Sequence, residues 1–156
     1  MADQTSDETL RRVLSTTRVI AVAGIVPDTS KPSNYVAQFL ADRGYRVIPV
    51  NAARAGEMAL GQAILASFAD IPADVRVDMV DIFRRSEQVP PEVEEALEHL
   101  PHLRTIWMQV GIANAEAAAL ARARGLTVVQ DRCPKVELPR LFGMQKLGEY
   151  ATDPMV

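Results

Sequence analysis

Residues 18–50 spell out one strand–turn–helix–strand unit, and that unit limits the folds open to the chain. Arg18–Ala23 (RVIAVA) is almost wholly apolar and stops at Gly24. A polar loop over 25–32 leads into a helical pattern with Val36, Ala37, Phe39 and Leu40 on one face. Gly44 ends that helix, and Tyr45–Val50 (YRVIPV) forms a second apolar run. Runs without polar alternation suit parallel strands covered on both faces. Strand, glycine turn and helix also bring backbone N–H groups and the positive end of a helix dipole to one edge, where a phosphate can sit. The glycines do not follow the GxGxxG of the dinucleotide fingerprint, so the nucleotide has to be argued from other residues.

The same alternation continues along the chain. A short first helix is expected, with capping-box spacing at Thr5 and Glu8 and a stripe of Leu10, Val13 and Leu14. Residues 52–76 are irregular, with one helical turn expected around Ile64, Leu65 and Phe68, closed by Pro72. Val77–Phe83 (VDMVDIF) is the third strand. Pro90 and Pro91 open a helix whose Val93, Ala96, Leu97 and Leu100 share a face, with acidic Glu92, Glu94 and Glu95 at its positive end. Thr105–Val110 (TIWMQV) is the fourth strand, with Trp107 expected as buried packing. Asn114 caps the next helix, Gly125 ends it, and Leu126–Gln130 is the fifth strand. A last helix is expected within 136–147, beginning near Pro139.

Strands alternating with helices predict an α/β fold: a single Rossmann-like, doubly wound parallel sheet of about five strands with helices on both faces. An order of 3-2-1-4-5 places the ligand crevice between the first and fourth strands. The loops 24–33 and 109–114 then face each other across it. One domain over all 156 residues, with its core at about 18–142, is the simplest organisation.

Composition excludes several classes of function. The net charge of −3 comes with scattered basic residues, which argues against nucleic-acid binding. No apolar run approaches the roughly 20 residues of a membrane helix. The polar, acidic start of the chain is no secretory signal, so a cytoplasmic location is expected. Two histidines and one cysteine give no metal-ligand spacing, and no metal is expected. His99 and His102 flank Pro101 away from the expected crevice, and no nucleophile–base pair stands out, so a catalytic centre is not expected.

The end of the second strand bears on the ligand. Dinucleotide dehydrogenases place an acid there for the ribose diol, whereas this chain has Asn51, followed by Arg54. A neutral amide beside a cation tolerates a phosphorylated ribose, and coenzyme A carries such a phosphate. Ser30, Lys31 and Ser33 in the first loop offer donors to a diphosphate, although Ser33 also reads as a plain helix cap and Lys31 as a solvated charge.

The segments VIAVAG, KPSNYVAQFLADRGYRVIPVN, VDMVDIFRRSE, WMQVGIANAEAA and DRCPKVELPRL, in that order and spacing, resemble the small stand-alone CoA-binding domain proteins from about Arg18 to Phe142. A similar Rossmann-like module forms the amino-terminal domain of the succinyl-CoA synthetase α-subunit. The resemblance implies coenzyme A or an acyl-CoA lying across the carboxyl edge of the sheet, bound by a carrier or sensor module without chemistry of its own. It implies that Gly24, Ile25 and Val26 meet the diphosphate or pantetheine and that Lys31 and Ser33 lie at the helix start. It puts Asn51 near the adenosine, Phe83, Arg84 and Ser86 at the adenine end, and Gln109 and Gly111 beneath the pantetheine arm. Relatives often carry a small residue or serine where this chain has Ile25-Val26, so a narrower loop is expected.

Alternatives stand beside several of these roles. Phe83 also reads as core, Arg84 and Arg85 as partners of Asp81 and Glu87, and Gly111 as a turn glycine. Asp131-Arg132-Cys133-Pro134 follows the fifth strand on the ligand edge. A cation beside a thiol favours its reactive form, which would make Cys133 the working group of a redox protein or enzyme, while a small buried residue in a tight turn is the simpler reading. An NAD(H)-binding regulator is a further reading, opposed by Asn51. The tail over 141–156 is a possible homodimer surface.

Overall fold

The computed structural model describes residues 5–153. Helix α1 (Asp7–Thr16) opens it. Its cap is Ser6, not Thr5: the Ser6 side chain accepts the Thr9 N–H at 3.1 Å. Strand β1 (Val19–Ala23), helix α2 (Pro32–Asp42) and strand β2 (Arg46–Val50) follow as expected from the opening unit. The irregular stretch holds a small antiparallel hairpin, β3 (Met58–Ala59) with β4 (Gln62–Ala63), and a short 3₁₀ turn at Phe68–Asp70. Then come β5 (Met79–Ile82), α3 (Val89–His99), β6 (Thr105–Met108), α4 (Ala115–Ala123), β7 (Thr127–Val129), α5 (Pro134–Phe142) and α6 (Leu147–Tyr150).

The main sheet is parallel throughout and runs β2-β1-β5-β6-β7. Outside β2, Leu65 makes a single parallel bridge to Val50: its N–H donates to Pro49 O at 3.0 Å and its carbonyl accepts the Asn51 N–H at 2.9 Å. Counted as a rudimentary third strand, this bridge gives the Rossmann-like 3-2-1-4-5 pattern, continued by one more strand. Leu65 is therefore an extended edge residue, and the helical turn expected around Ile64, Leu65 and Phe68 is confined to Phe68–Asp70. The chain returns from that outer edge to the far side of β1, so the run at 77–83 takes the fourth place. The change of winding direction lies between β1 and β5, and the crevice opens there instead of between β1 and the strand at 105–110.

Residue alternation assigns each side chain of a strand to one face of the sheet. Ala21, Ala23, Val80, Ile82, Ile106 and Met108 pack with Val93 and Ala96 of α3 and Ala117 and Ala121 of α4. Ile20, Val22, Met79, Trp107 and Val129 pack on the other face with Leu10 and Leu14 of α1, Val36 and Leu40 of α2 and Leu138 of α5. Trp107 is fully buried, and its indole N–H donates to Arg132 O at 2.8 Å.

The tail departs from expectation. α5 starts at Pro134, whose missing N–H costs nothing in a first turn, and Pro139 lies inside the helix instead of at its start. Leu147 and Tyr150 are buried against the chain itself. Tyr150 stacks on Phe142 with ring centroids 4.1 Å apart, and its hydroxyl lies 2.8 Å from that of Tyr45. The apolar residues of 141–150 are thus largely used within one copy; residues 154–156 of the suggested dimer surface lie outside the described residues. Among the described residues no helix is long and apolar enough to cross a membrane.

Candidate ligand-binding site

Leaving β1, the chain has to pass beneath the end of β5, and only glycine fits. Gly24 has φ +91°, and a β-carbon there would lie 2.2 Å from the Phe83 carbonyl oxygen. The Gly24 N–H donates to Val50 O at 2.9 Å and the Phe83 N–H to Ala23 O at 2.8 Å, which ties three strand ends together.

The next residues alternate inward and outward. Ile25 is fully buried among the apolar residues under α2, so its bulk does not narrow the loop. Its carbonyl accepts from Asn51 Nδ2 at 2.9 Å, while Asn51 Oδ1 accepts the Ala53 N–H at 3.0 Å. Val26 faces the opening. Its N–H donates to Ser33 Oγ at 3.2 Å, and its carbonyl accepts from Asn34 Nδ2 at 2.8 Å. The loop is therefore braced by the first turn of the helix it precedes. Asp28 accepts the Ser30 hydroxyl at 2.7 Å and backbone N–H at 2.9 Å, and these bonds hold its carboxyl below the ordinary range.

The cap of α2 is Lys31, with no side chain bonded to the helix end; Ser33 lies within the first turn and is not the cap. An 11-residue helix thus points an end free of side-chain caps toward the loop.

After β5, Arg84 Nε stands 3.4 Å from Glu92 Oε1, and Arg85 pairs with Glu87 at 3.5 Å on the surface. Burial raises the Glu92 carboxyl, and the Arg84 guanidinium opposes that rise. Arg84 therefore pairs with Glu92 and not with Asp81. Asp81 is fully enclosed within β5, with no hydrogen-bond partner among the described residues, and desolvation pushes its carboxyl well above the ordinary range. Ser86 Oγ accepts the Ala113 N–H at 3.2 Å, and its backbone carbonyl accepts from Asn114 Nδ2 at 2.9 Å. Asn114 caps α4 as expected, accepting the Ala117 N–H at 2.9 Å.

At the end of β6, Gln109 is 5 % exposed and its Oε1 has no partner among the described residues. Gly111 has φ +82°, and a β-carbon there would meet no protein atom within 4 Å, so its turn conformation calls for glycine without any help from neighbouring side chains. The Gly111 N–H donates to Asp131 Oδ1 at 2.6 Å. The Asp131 N–H donates to Ile112 O at 3.1 Å and the Arg132 N–H to Met108 O at 3.3 Å. Arg132 pairs with Glu137 at 3.2 Å.

These strand ends enclose a cleft of about 980 Å³, toward the large end of ligand pockets. Gly24, Val26, Lys31 and Ser33 line one side, with Phe83, Arg84, Ser86, Gln109 and Gly111 opposite and below. Ile25 and Asn51 do not line it: one is core, and the other uses its amide to hold the turn after β2. Tyr35, Val36, Arg54, Val110, Ile112 and Cys133 line it as well. Tyr35 and Val36 follow Ser33 on the first turns of α2, and Val110 and Ile112 flank Gly111, so neighbourhood to the expected residues was the signal for them. His99 and His102 border a separate hollow of about 220 Å³ that shares no residue with the cleft.

The profile of the CoA binding domain family matches residues 18–139. YneT of Bacillus subtilis (strain 168) is 36 % identical over 127 residues, 81 % of this chain and 90 % of that protein. A solved structure from Thermus thermophilus is 37 % identical with a TM-score of 0.81, covering 88 % of this chain and all of that one. A hypothetical protein from Pyrococcus horikoshii OT3 is 32 % identical with a TM-score of 0.82, covering 90 % of this chain and 94 % of that one.

Proposed function

The chain belongs to the family of CoA binding domains, and on that premise we propose that it binds coenzyme A or an acyl-CoA in the cleft between β1 and β5, as a carrier or sensor without chemistry of its own. The observation that carries this reading is the charge pattern of the cleft wall. Lys31, Arg54, Arg84 and Arg85, against only Asp28 and Glu87, line the same opening onto which α2 presents its end without a side-chain cap. Coenzyme A brings a diphosphate and a ribose phosphate to such a wall.

The diphosphate fits the Gly24–Ser33 loop, the adenine fits against Phe83 and Arg84, and the pantetheine arm runs beneath Gln109 and Gly111. Asn51 supports this ligand over NAD: no carboxylate ends β2 to accept from a free ribose diol, and the amide there is held by Ile25 and Ala53 outside the cleft lining. The histidines border a different hollow, which favours binding over catalysis.

Titration calorimetry with CoA, acetyl-CoA, NAD and ATP tests the proposal. Heat with CoA and its thioester, and none with NAD, is the expected result. Absence of heat with CoA overturns it. In the double variant Ser33→Ala/Arg84→Ala, CoA affinity should fall by roughly 100-fold, about 1.4 kcal/mol for each lost contact. The far-ultraviolet circular dichroism should stay unchanged.

A further inference from the structure

Cys133, the sole cysteine of the chain, lines the cleft and is half-buried there. Its place is fixed by the backbone bonds just described. Arg132 is joined to Met108, Asp131 to Ile112 and Gly111 to Asp131, so the segment entering α5 is laced to the turn after β6. Cys133 therefore stands beside the Gln109–Ile112 turn, at the start of the helix that packs against α2.

A second observation points to the same turn. Gln109 is 95 % buried in this wall, and its carbonyl oxygen has no partner among the described residues. An enclosed amide acceptor left unsatisfied is destabilising, and a ligand donating an N–H removes that cost. An amide-bearing arm that ends in sulfur answers both features: its N–H meets Gln109 and its sulfur comes to Cys133.

We propose that Cys133 forms a mixed disulfide with the cleft's thiol ligand, by exchange with the disulfide form of coenzyme A. The inference rests on the CoA reading above. In the step, the Cys133 sulfur attacks one sulfur of the CoA disulfide. The new Cys133–CoA bond forms as the CoA–CoA bond breaks, and the electron pair leaves on the departing CoA sulfur. That thiolate takes up the proton that Cys133 gave up, so no further oxidant is consumed. The protein then holds one CoA covalently, and a dithiol reductant releases it.

The test incubates the intact protein with CoA disulfide or with glutathione disulfide and follows its mass with time. Expected is a single CoA adduct, mapped to Cys133 and reversed by dithiothreitol. Its rate should saturate with CoA disulfide concentration and be slowed by acetyl-CoA, which occupies the cleft but cannot exchange. Binding before reaction should make it at least about tenfold faster than modification by glutathione disulfide. Equal rates with the two disulfides, or no adduct on protein that gives heat with CoA, overturn the inference and leave the CoA reading standing. Protein that gives no heat with CoA overturns both.

Discussion

The carbonyl oxygen of Phe83 occupies the space a side chain on Gly24 would need, 2.2 Å from where its first carbon would be. Two strand ends that flank the cleft are in contact through that gap. Gly24→Ala must either push β5 away from β1 or abandon the positive φ. It should cost about 2 kcal/mol or more, seen as a lower urea midpoint. Gly111→Ala has the same backbone handicap but open space around it, so it should cost only about 1–2 kcal/mol. Equal losses in the two variants would show that the Phe83 contact is unimportant.

Arg54 lines the cleft from the short 3₁₀ turn after β2, with Glu57 3.5 Å away as an exposed partner. Arg54→Ala should weaken CoA several-fold at low salt and barely affect dephospho-CoA, because the lost contact is to the ribose phosphate. The difference should shrink as salt is raised. A variant that loses both ligands equally would place the ribose phosphate elsewhere.

Asp81 is an enclosed carboxyl whose acidity is suppressed by desolvation. Its folded state holds the proton more tightly than the unfolded chain does, so its contribution is favourable below the unfolded value near 3.8 and is lost as pH rises toward the folded value. Each pH unit in that window costs about 1.4 kcal/mol for one extra proton held. Asp81→Asn removes this term, and its stability should fall less steeply as pH rises above the unfolded value than that of the unaltered protein. Urea titrations across that range measure it; parallel profiles would mean that Asp81 does not titrate differently on folding.

The Tyr45 hydroxyl donates to Leu14 O at 2.6 Å and lies 2.8 Å from the Tyr150 hydroxyl, all buried. Tyr45→Phe leaves a carbonyl and a phenol short of one partner each, a loss of about 1–3 kcal/mol. Because the site is remote from the cleft, CoA affinity should be unchanged. A lower melting temperature with normal calorimetry is the expected pair of results.

The strands and most helices were legible because continuous apolar runs and helical stripes are local signals, and Gly24, Gly44 and Gly125 punctuate them. The outer edge of the sheet was not: Leu65 joins it through one bridge, too short for any periodicity to register. Missing that edge misplaced the run at 77–83 and with it the neighbour of β1. Within the site, the loop residues could be named from position, but their facing could not. Ile25 and Val26 look alike in sequence and point to opposite sides of the loop. Asn51 stands where a ribose ligand is expected, and only the distances to Ile25 and Ala53 show its amide already engaged. Asn34 gave no signal, since its role as a brace depends on the loop curling back over α2.

Thr152 is fastened beside the entry to β1: its N–H donates to Ser15 O at 2.9 Å, its hydroxyl to Ser15 Oγ at 3.0 Å, and its carbonyl accepts from Arg18 Nη2 at 2.8 Å. That anchorage is on the amino-terminal rim of the parallel strands, opposite the ligand edge. A fluorophore attached at the exposed Asp153 sits at the back of the molecule, so tethering the protein to a sensor surface through that residue keeps the ligand entrance turned to solution.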